Sequence, residues 1–221
     1  MNTRVSKRHM FRRWLGVLTV FSALLAPVGA QAHPHAWIDL KSTVVLDGQG
    51  RIAALQMYWL FDEFYSAFLT ESIGDAADRD AMLRDVTQTN LQNLREYNYF
   101  TLVRSDGEPA GLADATDVDG GMDGTRYWML FTVLLKTPLD PRAHDVTFAV
   151  FDPTYYIEIL YAEDGGVPSF TGPGAVDCVG KVIDPVPSIE VIGLAASLDQ
   201  TESAGDTLGE QFAQRVQVTC P

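Results

Sequence analysis

His33 and His35, separated by Pro34, directly follow Ala30-Gln31-Ala32, a small-x-small run of the kind signal peptidase cuts. Cleavage there leaves His33 as the first mature residue, able to offer both its α-amine and a ring nitrogen to one metal. His35 is close enough in sequence to add a third nitrogen. Pro34 has no amide proton, which disfavours the deprotonated-amide geometry that copper and nickel adopt at free termini with histidine in third position. The chain has four histidines, and His9 would leave with the leader, so His33, His35 and His144 make up the mature imidazole inventory. Carboxylates could complete a metal shell. Asp39 follows His35 by four residues, Asp62 and Glu63 stand side by side, and Asp152 opens an Asp-Pro-Thr-Tyr-Tyr run. Three candidates also have a simpler role: Asp62 caps a helix, Asp152 starts a proline-containing turn, and His144 sits at a strand edge.

These residues need elements to position them. Residues 1–32 read as a signal peptide: Arg4, Lys7, Arg8, Arg12 and Arg13, with no acid, precede an apolar stretch from Trp14 to Val28. Arg12-Arg13 is compatible with twin-arginine export, although ordinary secretion is the expectation. Residues 33–221 are expected to form a single exported domain. Trp37 to Leu46 reads as a strand, Asp47-Gly48-Gln49-Gly50 as a turn, and Arg51 to Phe61 as the hairpin partner. That hairpin returns Asp62 and Glu63 to the neighbourhood of His33 and His35 without any distant contact. A helical insertion is expected over about 62–97, with Met82, Leu83, Val86, Leu91 and Leu94 at three-to-four spacing. Tyr99 to Arg104 reads as a strand, and Asp106 to Gly124 as a loop or turn-bearing insert. Tyr127 to Leu135, His144 to Phe151 and Tyr155 to Tyr161 read as further strands, and Phe212 to Thr219 as a last one. If the Tyr155 strand is regular, Tyr155 and Tyr156 face opposite ways and only one of them lines a site. The fold class is therefore mainly β with a helical insertion, an antiparallel β-sandwich-like domain.

Composition narrows the function. Without the leader, all 29 acids and 11 of the 16 Lys and Arg remain, a formal charge of −18. That sign argues against nucleic acid or an anionic membrane as partner, and stable membrane insertion is not expected after cleavage. Cys178 and Cys220, an even count in an exported chain, are expected to form a disulfide closing a disulfide-linked C-terminal region. Neither has CxxC spacing. Gly193 to Gly209 is small, polar and glycine-punctuated, hence expected to be loosely built. Asp75 to Asp80 holds three aspartates but lacks the glycine and terminal glutamate of a calcium loop. No nucleotide loop or serine-hydrolase elbow is present.

Several blocks together carry a resemblance: His33-Pro34-His35-Ala36-Trp37-Ile38-Asp39, Phe61-Asp62-Glu63-Phe64-Tyr65-Ser66, Pro138-Leu139-Asp140-Pro141, Phe151-Asp152-Pro153-Thr154-Tyr155-Tyr156, Asp177-Cys178 and the ending through Val218-Thr219-Cys220. In this order they resemble the periplasmic family catalogued as domain of unknown function 1007, over essentially the whole mature chain. The resemblance implies a periplasmic component of a transition-metal transport system, working with an inner-membrane permease of the nickel/cobalt type. It implies zinc as cargo first, nickel or cobalt next, with copper also chemically compatible. His33 and His35 match the family's HPH start, Asp62 and Glu63 its FDE block, and Asp152 its DPTYY block. Many relatives carry a calcium-type acidic loop over the region Gly74 to Arg84; this sequence departs from it.

Two other classes stand beside a non-enzymatic metal carrier. A structural or protein-interaction module of the envelope needs neither the cleavage before His33 nor the carboxylates. A copper-dependent oxidative enzyme would use an N-terminal histidine brace with His144 as third ligand, but His35 crowds that terminus.

Overall fold

The alternation that defines the first strand is visible residue by residue in the computed structural model, which describes residues 33–74, 78–162, 166–198, 202 and 204–221. In β1 (Ala36–Leu46), Ala36, Ile38, Leu40, Ser42, Val44 and Leu46 face inward while the residues between them face out. β1 runs antiparallel to β2 (Ile52–Phe61), in a register that sets Ile38 against Phe61. The turn is held by Asp47, whose carboxylate accepts from the Gln49 and Arg51 amides and from the Arg51 guanidinium at 2.8–3.0 Å. Gly50 supplies the left-handed φ of 74° that the turn needs.

After β2 come the helices α1 (Glu63–Ile73) and α2 (Arg79–Leu94), followed by a 3-10 turn and β3 (Thr101–Ser105). Then follow β4 (Glu108–Pro109), β5 (Leu112–Asp123), β6 (Arg126–Leu139), β7 (Val146–Val150) and β8 (Ile157–Tyr161). The chain continues through β9 (Ser169–Thr171), β10 (Val179–Ile183), α3 (Ile189–Ser197) and β11 (Arg215–Thr219).

These strands make two sheets. One has the order β5-β6-β2-β1-β8, with β9 also on β1; the other has the order β10-β11-β7-β3-β4. The second is antiparallel, whereas the first is mixed, because both β8 and β9 run parallel to β1. Ile38, Leu40, Met57, Trp59 and Phe131 from the first sheet share one apolar cluster with Val103, Phe148, Val216 and Val218 from the second. Leu69, Ile73, Leu83 and Leu91 of α1 and α2 join the same cluster. The protein from residue 32 onward is one compact unit, mainly β with a helical insertion. Among the described residues no helix is long and apolar enough to cross a membrane.

Three regions differ from the sequence reading. The stretch expected as a loop, Asp106 to Gly124, contains β4 and the twelve-residue strand β5. β5 is a sheet edge with two register shifts against β6 and a left-handed Asp117, so its apolar residues do not alternate cleanly. Tyr155 has a φ of 62° and belongs to the turn before β8 rather than to a strand. α3, behind the N-cap Ser188, runs on into the Gly193 to Gly209 stretch expected to be loose. The Asp75 to Asp80 run lies partly outside the described residues; Asp78 caps α2 by accepting from the Ala81 amide. The predicted disulfide is present between Cys178 and Cys220, beside the β10–β11 pair, and suits an oxidising compartment.

Candidate metal centre

His33 to His35 lead straight into β1, and the parallel pairing of β1 with β8 determines what they meet. The His35 amide donates to the Tyr156 carbonyl at 2.8 Å, continuing the ladder one step before Ala36 pairs with Ile157. Three rings gather there. His33 and His35 have centroids 5.0 Å apart, edge to face, and the Tyr156 ring lies 4.9 Å from His35 and 5.8 Å from His33. His33 is only 6% exposed, and its Nδ1 is buried without a hydrogen-bond partner. A buried imidazole nitrogen with no partner is costly unless something else engages it, and a metal ion is one such thing.

Tyr156 is placed by the Asp-Pro-Thr turn. The buried Asp152 carboxylate accepts from the Thr154 amide and hydroxyl at 2.9 Å and from the Ile157 amide at 3.0 Å. From the other side, the Gly209 amide donates to the Pro153 carbonyl at 2.9 Å. Tyr155 packs away from the histidines, stacked at 3.9 Å on Phe212, with its hydroxyl donating to Glu158. Burial, and then the nearby Glu158 carboxylate, push the Tyr155 phenol well above its ordinary pKa, so it stays a donor. Tyr156 thus lines the histidine pair while Tyr155 anchors the turn. The left-handed φ of Tyr155, rather than strand alternation, separates the two.

The remaining candidates are distributed as follows. Asp62 does return beside the start of β1: its amide donates to the Trp37 carbonyl, and its Oδ2 accepts from the Trp37 amide, both at 2.9 Å. Its Oδ1 accepts from the Phe64 and Tyr65 amides, so this carboxylate serves three backbone N–H groups and caps α1. Glu63, exposed in the first turn of α1, borders a groove of about 920 Å³ lined also by Phe64, Ala67, Arg79 and Met122. Asp39 makes an ion pair with Arg126 at 2.7 Å, and the same guanidinium donates to the carbonyls of Leu60 and Phe61.

His144 is not brought to the other histidines. It precedes β7 and pairs through Nδ1 with Asp106 at 2.7 Å, on the exposed end of the second sheet. Asp152 follows the opposite end of β7, so at strand rise the two are separated by on the order of 20 Å. Among the described residues no group of three or more His, Cys, Asp and Glu side chains converges to hold a metal. Side chains therefore contribute two imidazoles at one place. Tyr156 is the one contributor to the cluster that metal-ligand spacing gave no reason to choose.

The comparisons agree with the block pattern and add no activity. An uncharacterized protein of Haemophilus influenzae is 27% identical over 203 residues, covering 89% of this chain and 95% of that protein. No solved structure matches. The sequence model described as "Protein of unknown function (DUF1007)" matches residues 18–220, and the chain therefore belongs to the DUF1007 family.

Proposed function

We propose that this is a periplasmic transition-metal-binding protein, a carrier and not an enzyme, that delivers an ion to, or exchanges it with, an inner-membrane permease of the nickel/cobalt type. The observation that carries the reading is the packed pair of His33 and His35 with a buried, unpartnered His33 Nδ1 at the head of β1. Imidazole nitrogen favours zinc, nickel, cobalt or copper over magnesium and calcium, which prefer oxygen. Zinc is the first expectation for the cargo. The disulfide and the leader-like residues 1–32 support export.

Native mass spectrometry of the protein purified from the periplasm, with zinc, nickel, cobalt and copper in competition, tests this. Selective retention of one ion, lost in the His33→Ala/His35→Ala double variant with no change in melting temperature, is the expected result. No selective uptake by correctly cleaved protein overturns it.

A second reading, an envelope protein-interaction module, draws on one observation. Phe64 and Phe68, one turn apart on α1, are 84% and 68% exposed. Absence of metal uptake together with loss of partner binding in a Phe64→Ser/Phe68→Ser variant would favour that module.

A further inference from the structure

The His33–His35 pair supplies two imidazoles, and two imidazoles alone make a weak site for a divalent ion. The third donor can come from the main chain. While residue 32 is attached, the His33 nitrogen is an amide, its lone pair is delocalised into the carbonyl, and it does not bind metal at neutral pH. Hydrolysis of the Ala32–His33 bond consumes one water, leaves the carboxylate on Ala32 and gives His33 a free α-amine. From that amine, the ring atom within chelating reach is Nδ1, through Cα, Cβ and Cγ, and Nδ1 is the buried, unpartnered atom of His33. The next amide cannot compete as a donor, because residue 34 is proline.

We infer that removal of the leader creates the metal site: the α-amine and Nδ1 of His33 close a six-membered chelate, and the His35 imidazole adds a third nitrogen. A borderline divalent ion then binds the processed chain and not its precursor. The inference rests on the metal-carrier reading and deepens it, by making loading conditional on export. The fold prepares the part that processing does not supply. The His35 amide is fixed to the Tyr156 carbonyl at 2.8 Å, and the Tyr156 ring lies against both imidazoles. Tyr156 is itself held by the Asp152 turn and by Gly209. The consequence is a protein that leaves cytoplasmic zinc and copper alone before export.

Three forms of the mature chain separate the possibilities, each released by a protease and mass-verified: one beginning at His33, one with a single alanine ahead of His33, and one beginning with His33→Ala. Zinc and copper(II) are titrated into each, and melting temperature without metal is the fold control. The His33 form should bind one ion, and the other two should bind on the order of 100-fold more weakly, since each lacks one donor of the chelate. All three should melt alike in the absence of metal. Equal affinity with and without the extra alanine overturns processing control and leaves the carrier reading standing. Equal affinity of the His33→Ala form overturns the chelate. No binding by the His33 form overturns both the inference and the carrier reading.

Discussion

The same residue type does different work in this molecule according to what surrounds it. Asp152 is buried and accepts from two backbone amides and a hydroxyl, so Asp152→Ala strands the Thr154 and Ile157 amides. We expect a loss of about 3 kcal/mol in urea unfolding, with metal affinity falling only because Tyr156 is no longer held. Asp47 is half-buried and acts through charge. The Arg51 guanidinium and then the Arg51 and Gln49 amides hold its carboxyl below the usual carboxylate range. A depressed pKa means the stabilisation is present above the ordinary carboxylate pKa and disappears as pH falls through the lowered one. Asp47→Asn should therefore lower the melting temperature at pH 7 and leave it unchanged near pH 2, read by scanning calorimetry. His144, paired with Asp106 on the far side of the second sheet, gives a simple contrast. His144→Ala should leave metal stoichiometry and affinity unaltered in the titration where His33→Ala weakens binding on the order of 100-fold.

At the scale of elements, two glycines mark where packing leaves no room for a side chain. Gly120 of β5 faces α2, where a Cβ would fall 1.9 Å from the Thr87 hydroxyl; that hydroxyl is buried and bonds both the Leu83 carbonyl and the Tyr127 hydroxyl. Burial pushes the Tyr127 phenol up to about 12, so it remains protonated in this contact. Gly120→Ala should cost about 2 kcal/mol by prising α2 from the sheet edge. Gly209 is tighter, since its Cβ would meet the Asp152 carbonyl at 1.8 Å and backbone cannot rotate away. Gly209→Ala should destabilise by at least about 2 kcal/mol and also weaken metal binding, because it displaces the turn that carries Tyr156. Gly120→Ala should leave the affinity of the folded protein unchanged. Comparing the two variants by calorimetric titration checks whether the C-terminal segment supports the histidine pair. Neither glycine can be singled out from the sequence, because Asp106 to Gly124 reads as a loop or turn-bearing insert and Gly193 to Gly209 as loosely built, and both clashes are with partners distant in sequence.

For the whole molecule, the Cys178–Cys220 bond closes a separation of 42 residues that carries α3 and the Ala195, Leu198 and Leu208 side chains, which share a small cluster with Tyr155. Restricting the unfolded chain over that loop is worth about 4 kcal/mol by loop-closure entropy. The Cys178→Ser/Cys220→Ser variant should melt markedly lower, while still pairing β10 with β11. By itself the sequence determined the β1–β2 hairpin, the helical insertion, the disulfide and the approach of Asp62 to the head of β1. Each of these follows from local alternation, turn chemistry or a count of two cysteines. The burial of His33, the ring of Tyr156 against the histidine pair and the separation of His144 were decided by tertiary structure. They depend on the parallel pairing of β1 with β8, which sets Ala36 beside Ile157, and on β7 holding His144 and Asp152 at its two ends. No local pattern encodes such pairings, because their free energy comes from a shared core that exists only once both sheets have assembled.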